Sequence, residues 1–573
     1  MKIHATAVVV IVALSLLGPT STVAQDTPTP PAAGPASPYI EQIAGAPQAA
    51  LEAAAKARDT AIADWPAVGV DALADATENH AIAHMLAPLP ASARTLLAQV
   101  WESHPRFMGA LARVYTDAND GASVATIAQA IAAANPDALG HYPDLAAAVC
   151  VVLDRPRTYP GLGAILPGGA EVFDALVFAH QDRRVMALPL DELPAEILIY
   201  MADTALTGEG IRTMYQDRRR KDPLELYRTV PYKQAGLLAG EPALPPEEFT
   251  FDRIAERGGL GPLRGFYAEQ LGQAFGYPVA LATGHLADER FLAPVFIEKQ
   301  RRNYAWNLEA LPDHPDLAFG STKHPVTGEP MPLPELVVTA DLARAGTDTT
   351  REAWALLEAA KLAEPAARLP MLEASRSRTM GFAEAWAHTL GLKLEAAKGD
   401  LDGPQRVLIE FFDKADKLSP LLATRLALDA IGSMGADGSE LLEWMALTSR
   451  RDPHRYATAQ LAIGDAALAS GDREAAQKAY EDVLNRQADA TPLALDAFAR
   501  LESMITQDGR EAEIFELYAR SHRRFRAPRT SEEAEARASA FMFIGERYEK
   551  LLLDAGRERE AERLRRRLDQ ALP

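Results

Sequence analysis

The chain has 573 residues, with 59 basic against 79 acidic side chains and a formal net charge of −20. That length accommodates about three or four domains, while the charge repels polyphosphate and argues against nucleic acid as a partner. A single cysteine leaves no intrachain disulfide, so packing alone must hold the fold.

Residues 1–24 open with Lys2, carry an apolar run from Ala5 to Leu17 and leave through Thr22-Val23-Ala24. This is the pattern of a cleaved secretory signal peptide, and the apolar run is short for a membrane span. The expectation is an exported bacterial protein, periplasmic or secreted, with no transmembrane segment after signal cleavage. The competing reading keeps the segment as an N-terminal anchor. Residues 25–38, QDTPTPPAAGPASP, read as a Pro/Ala-rich disordered linker.

Residues 39–155 are alanine-rich with apolar positions at helical spacing, a helical region punctuated by Pro88, Pro90, Pro105 and Pro136. The run Asp117 to Gly121, DANDG, has the look of a calcium loop, but its glycine comes one position early and Ala128 stands where a bidentate glutamate belongs. It reads as a turn. Cys150 lies among small and branched hydrophobes in LAAAVCVVLD, a setting for a structural thiol rather than a reactive one. Past Pro156 the composition shifts toward Gly, Pro and mixed strand and helix. His180 lies there between an apolar segment and Asp182, and reads as a hydrogen-bonded histidine rather than a base. Two basic runs, Arg218 to Lys221 and Lys299 to Arg302, read as solvated turns.

The segment Phe251 to Gly284 is the most informative. A helix should end at Gly258-Gly259, a tight turn should pass through Gly261-Pro262, a second helix should run from about Leu263 to Phe275, and a strand should begin at Pro278. On the second helix Leu263, Phe266, Tyr267, Gln270, Leu271, Ala274 and Phe275 form one stripe, apolar except for the glutamine, as a helix buried against a sheet requires. Strands should follow over 278–283, 292–299 and 304–309. His285, Asp288, Glu289 and Arg290 share the first connection, where a solvated hairpin outweighs a metal site.

The run GGLGPLRGFYAEQLGQAFGYPVA resembles the core of the bacterial, repeat-associated transglutaminase-like (papain-like cysteine) domain. In that family the turn before the helix reads Gly-Gly-Val-Cys, the histidine sits in a His-Ala-Trp-Val strand, and the aspartate in an Asp-Pro-x-Thr-Gly segment. The resemblance puts Gly261 at the cysteine position, Leu292 of Leu292-Ala293-Pro294-Val295 at the histidine, and His324 of His324-Pro325-Val326-Thr327-Gly328 at the aspartate. It therefore implies a degenerate module over 156–340 whose catalytic triad is lost, leaving a vestigial cleft at Gly261, Leu292 and His324. Glycine and leucine supply neither nucleophile nor base.

Residues 347–573 are again helical. Thr458 to Ala490 fits the tetratricopeptide pattern: Gly464 in the first helix, Gly471-Asp472 at the turn, and Ala476 and Tyr480 in the second. Weaker copies follow, one turning at Gly509 and another carrying Gly545, Tyr548 and Gly556. Trp354 and Trp386 begin similar helices upstream.

The fold class expected is mostly α: a helical N-terminal region, an α+β transglutaminase-like core with a small antiparallel sheet, and a C-terminal helical-repeat (TPR-like) array. Motifs for zinc proteases, serine hydrolases and phosphate loops are missing from the sequence. The functional expectation is a non-catalytic, exported interaction or scaffold protein that holds a protein or peptide partner on its helical-repeat surface, without cofactor or metal. The alternative is a hydrolase or acyl-transfer enzyme of the transglutaminase-like class with a rearranged active site.

Overall fold

The computed structural model describes residues 39–159, 163–181, 186–217, 222–231, 251–258, 261–286, 289–301, 303–308, 320–487, 491–525, 527 and 540–571. Residues 1–38, the basic run from Arg218 to Lys221, and Asp288 lie outside them, as does the side chain of His285. The described residues form 27 helices, a two-stranded ribbon and one small antiparallel five-stranded sheet, a mostly α fold.

The alanine-rich start folds as α1 (Ile40–Gly45), α2 (Pro47–Ala63), α3 (Gly69–Leu86), α4 (Ala91–Ser103), α5 (Pro105–Val114), α6 (Gly121–Ala134), α7 (Pro136–His141) and α8 (Pro143–Val152). Prolines open α2, α5, α7 and α8, where their fixed φ suits the first turn and no hydrogen bond is lost. The DANDG segment is a turn whose Asp120 caps α6, accepting from the Ala122 N–H at 3.2 Å. Helix α8 is buried all round from Asp144 to Val152, with Cys150 fully enclosed. Burial and the nearby Asp154 hold that thiol far above its ordinary pKa.

A ribbon of β1 (Arg157–Tyr159) and β2 (Gly163–Ile165) leads to α9 (Gly169–Gln181), α10 (Ala195–Ala202), α11 (Gly208–Asp217), α12 (Pro223–Thr229), α13 (Phe251–Arg257) and α14 (Gly261–Ala274). Then come β3 (Val279–Leu286), β4 (Glu289–Gln300), β5 (Asn303–Asn307), β6 (Ser321–Lys323), β7 (Pro330–Pro332) and α15 (Leu333–Ala345), the sheet running in the order β5-β4-β3-β6-β7. Helix α15 starts inside the proline-rich EPMPLPELVV, a stretch with no helical periodicity of its own; Pro334 sits in its first turn, where proline is tolerated.

Strand alternation divides the sheet between two cores. Val279 stands opposite Phe296 and Thr283 opposite Leu292, and Val279 and Phe296 pack under α14 with Phe266, Leu271 and Phe275. The alternate residues Ala280, Ala282, Ala293, Val295 and Ile297 face a core that runs from Ile43 to Ala343 and includes α8 and α10. One core thus joins the N-terminal helices to the sheet. Gln270, the polar member of the α14 stripe, is fully buried, and its Oε1 accepts from Thr204 Oγ1 at 3.0 Å and the Ala205 N–H at 2.6 Å. That glutamine ties α14 to the end of α10.

The rest is a succession of paired helices: α16 (Thr347–Leu362), α17 (Pro365–Arg378), α18 (Ala383–Ala396), α19 (Gly403–Ala415), α20 (Pro420–Gly432), α21 (Ala436–Thr448), α22 (Pro453–Ala469), α23 (Arg473–Arg486), α24 (Thr491–Gln507), α25 (Glu511–Arg524), α26 (Ala540–Asp554) and α27 (Glu558–Ala571). Among these residues the core is split into successive clusters, each shared by neighbouring helices. Gly471, Gly509 and Gly556 close three of the hairpins with φ of 86°, 66° and 70°, which glycine alone adopts freely.

Gly464 of α22 lies against Tyr480 of α23, so close that a Cβ there would stand 2.4 Å from the ring. Tyr480 is fully buried, and its hydroxyl donates to Asp465 at 2.7 Å, so the ring has no room to yield. Gly545 of α26 meets Leu568 of α27 in the same way, at 2.4 Å. We expect Gly464→Ala to cost about 1–3 kcal/mol through overpacking, read as faster amide exchange throughout α22 and α23 while α8 keeps its protection.

Candidate functional site

Three places gather polar groups or a free helix end. The first is the start of α14. A helix N-terminus presents free N–H groups and the positive end of the dipole, which would acidify a thiol. Gly261 opens α14 and has no side chain to offer. One turn on, at Gly265, the helix comes down on the sheet: a Cβ there would lie 3.2 Å from Leu281 Cδ2 and 3.6 Å from Leu292 Cβ. The beginning of α14 and Leu292 therefore share one side of the sheet.

His324 follows β6, which is separated from β4 by β3. Its Nδ1 accepts from the N–H groups of Val326 and Thr327 at 3.2 and 3.3 Å, while the backbone N–H of His324 donates to the Glu329 carbonyl at 2.8 Å. The imidazole closes the turn that leads into β7. Its ring meets Tyr200 edge-on, with centroids 6.4 Å apart, on the side of the large core rather than that of α14. Of the three positions, Leu292 lies under α14 at Gly265, one turn past Gly261, and His324 is directed toward Tyr200.

His180 is also a structural group. The Leu190 N–H donates to its Nε2 at 3.2 Å, so Nδ1 carries the proton and donates to the Tyr142 hydroxyl at 3.0 Å. The connection holding His285 and Arg290 is a hairpin, with those two residues paired across β3 and β4. Among the described residues no group of three or more His, Cys, Asp or Glu side chains could hold a metal ion, and no helix is long and apolar enough to cross a membrane.

The second place is an ionic cluster inside the helical body. Arg113 of α5, 2% exposed at its side chain, donates to Glu78 of α3 at 3.1 Å, to Asp144 of α8 at 2.8 Å and to Glu196 of α10 at 3.2 Å. Glu78 is held also by Arg351 of α16 at 2.7 Å, which reaches Asp75 as well. Burial would lower the Arg113 pKa, but Glu196, Asp144 and Glu78 outweigh it and hold the guanidinium above its ordinary value. Burial pushes the Asp144 carboxyl up to about 6 against the pull of Arg113. Gly109 makes room for this cluster: a Cβ there would stand 2.9 Å from Glu78 Oε1. With every carboxylate tied to an arginine, the arrangement cross-links helices and presents nothing to a ligand.

The third place is a pocket of about 370 Å³ in the array, between α17, α18 and α19. Arg376 of α17 lies flat on Trp386 of α18, its Cζ 3.5 Å from the ring centroid, and Trp386 is fixed by donation from Nε1 to the Met380 carbonyl at 3.2 Å. Lys393 pairs with Glu373 at 2.9 Å and Glu410 at 3.5 Å, and Lys414 with Glu410 at 2.8 Å. Leu390, Val407 and Phe411 give the pocket an apolar wall. Three cations thus face two carboxylates in a strongly acidic protein.

Compared with protein-family models, with curated proteins and with solved structures, the chain matches none. The transglutaminase-like and tetratricopeptide resemblances accordingly rest on the residues quoted for them.

Trp386 was visible in the sequence as the start of a repeat-like helix, but its partner Arg376 was not, because the two meet only through the crossing of α17 and α18. The ionic cluster is equally hidden, drawing on residues 78, 113, 144, 196 and 351. We expect Arg113→Leu to destabilise the fold by about 3–5 kcal/mol, since three carboxylates lose their shared counter-ion. With Arg113 gone, protonation relieves the buried carboxyls more than it does the unfolded chain. The penalty should therefore shrink from pH 8 to pH 5, a trend measurable in denaturant titrations at the two pH values.

Proposed function

We propose that this chain is a non-catalytic, exported interaction protein whose helical array holds a protein or peptide partner. The observation that carries the reading is the succession of paired helices from Thr347 to Ala571, built on neighbour-to-neighbour cores. Such a stack displays a long, continuous surface that a polypeptide can follow, with specificity set by side chains and no need for reacting groups. The degenerate module would serve as the platform from which the array extends.

The acyl-transfer alternative gains little from the same geometry. Thiol chemistry would have to use Cys150, which is fully enclosed in α8 and held in its protonated form. The position at the start of α14 has no side chain, and the His324 imidazole is engaged in its own turn.

Two measurements test the proposal. Expressed with its own N-terminus in a Gram-negative bacterium, the chain should be recovered outside the cytoplasm with Gln25 as its first residue, following the Thr22-Val23-Ala24 exit; an intact Met1 in the cytoplasm would sink the export part. A displayed random-peptide library panned on the full chain should enrich peptides that compete with one another and bind with Kd on the order of micromolar. Such peptides should crosslink to the helices after Thr347. Enrichment of no peptide, or turnover of peptide substrates by the purified chain, would overturn the binding reading.

A further inference from the structure

We propose that the pocket between α17, α18 and α19 is a small-molecule site for a monocarboxylate carrying an apolar body, with Arg376 as the group that receives the carboxylate. The site does not depend on the peptide-binding role of the array.

The argument begins with Arg376. Lys393 and Lys414 are each matched to a glutamate, but among the described residues Arg376 has no hydrogen-bond or ion-pair partner, and its Nε is buried without an acceptor. Stacking on Trp386 uses one face of the guanidinium and leaves its edge, where all five N–H donors lie, unspent. Burial pushes its pKa below the ordinary arginine value, with Glu373 and Glu410 opposing from a distance. A half-buried cation at the wall of a cavity, its Nε–H without an acceptor and its other donors uncommitted to any protein group, is a receptor for an anion.

The class of anion follows from charge and shape. A guanidinium edge and a carboxylate are both planar and join by two parallel hydrogen bonds. Three cations against two carboxylates leave one positive charge, which a monoanion neutralises. A phosphate dianion would overshoot and would be repelled by Glu373 and Glu410. The remaining wall, Leu390, Val407 and Phe411, is apolar, and about 370 Å³ is the volume of a small-ligand site. The carboxylate could belong to a free acid or to the C-terminus of a peptide ending in an apolar residue; the chemistry at Arg376 is the same.

The test uses the full chain labelled with 5-fluorotryptophan, whose six fluorine resonances include Trp386, assigned through Trp386→Phe. Benzoate and hexanoate are titrated as free acids, acetyl-Gly-Gly-Leu as a chain end, and hexanamide and inorganic phosphate as controls. Both free acids, or the chain end, should shift the Trp386 resonance saturably with an apparent Kd of about 1 mM or tighter. Whichever binds tighter names the source. Arg376→Gln should weaken the effect by about tenfold or more, and Arg376→Lys by less, because lysine keeps the charge but loses the fork. An unchanged set of the other fluorine resonances in each variant shows that the fold is intact. The proposal is overturned if no carboxylate saturates by about 20 mM, if hexanamide or phosphate binds as well as hexanoate, or if Arg376→Gln binds undiminished. None of these results bears on the peptide-library outcome, so the two readings stand or fall separately.

Discussion

Glu78 is shared by two arginines that come from opposite directions, Arg113 from within the N-terminal helical body and Arg351 from the first helix of the array. Taking an ion out of water costs several kcal/mol, and only a geometry that satisfies both partners offsets it. The consequence is a strict placement of five helices, α3, α5, α8, α10 and α16, because no member can shift without stranding a buried charge. Gly109 belongs to the same constraint, as any side chain there would displace the carboxylate. Apolar packing supplies most of the stability, but it is non-directional; the ionic cluster supplies register.

From that anchor two regimes of packing extend. The body to Ala343 has a large core that encloses α8 and covers one face of the sheet, with a second core under α14 on the other face, so residues far apart in sequence depend on one another. Beyond Thr347 the core breaks into successive clusters, the first shared with α2 and α3, the second reaching Val338 of α15, and the last shared by neighbouring helices alone. The pocket at Arg376 sits close after their junction, in the first helices of the array.

What could be read from the residues depended on whether the signal was local. Gly258-Gly259 and the apolar stripe of α14 announced the helix–turn–helix–strand order, and the structure shows α13, α14 and β3 there, because helix ends and amphipathic faces are written within a few residues. Gly464 and Tyr480 were legible for the same reason, their contact being a property of one hairpin. Helix α15 has no clear start signal in the sequence, because Pro332 and Pro334 suit an extended chain as well as the start of a helix. The Arg376 and Trp386 stack and the Glu78 cluster carry no local signature at all: they arise from helix crossings, which no spacing in the chain records.

The division into two packing regimes also bears on how such a chain can change over generations. Where a hairpin packs on its neighbours and closes with its own glycine, as those at Gly471, Gly509 and Gly556 do, a whole hairpin can be duplicated or lost with the damage confined to one seam. The body allows no such editing, since α3, α5, α8 and α10 are tied to one arginine and any insertion that displaces one of them must be accommodated by all. Variation in length should therefore accumulate beyond α16, toward the glycine-closed hairpins, and the number of paired helices, rather than the shape of the body, is the quantity this architecture leaves free to vary.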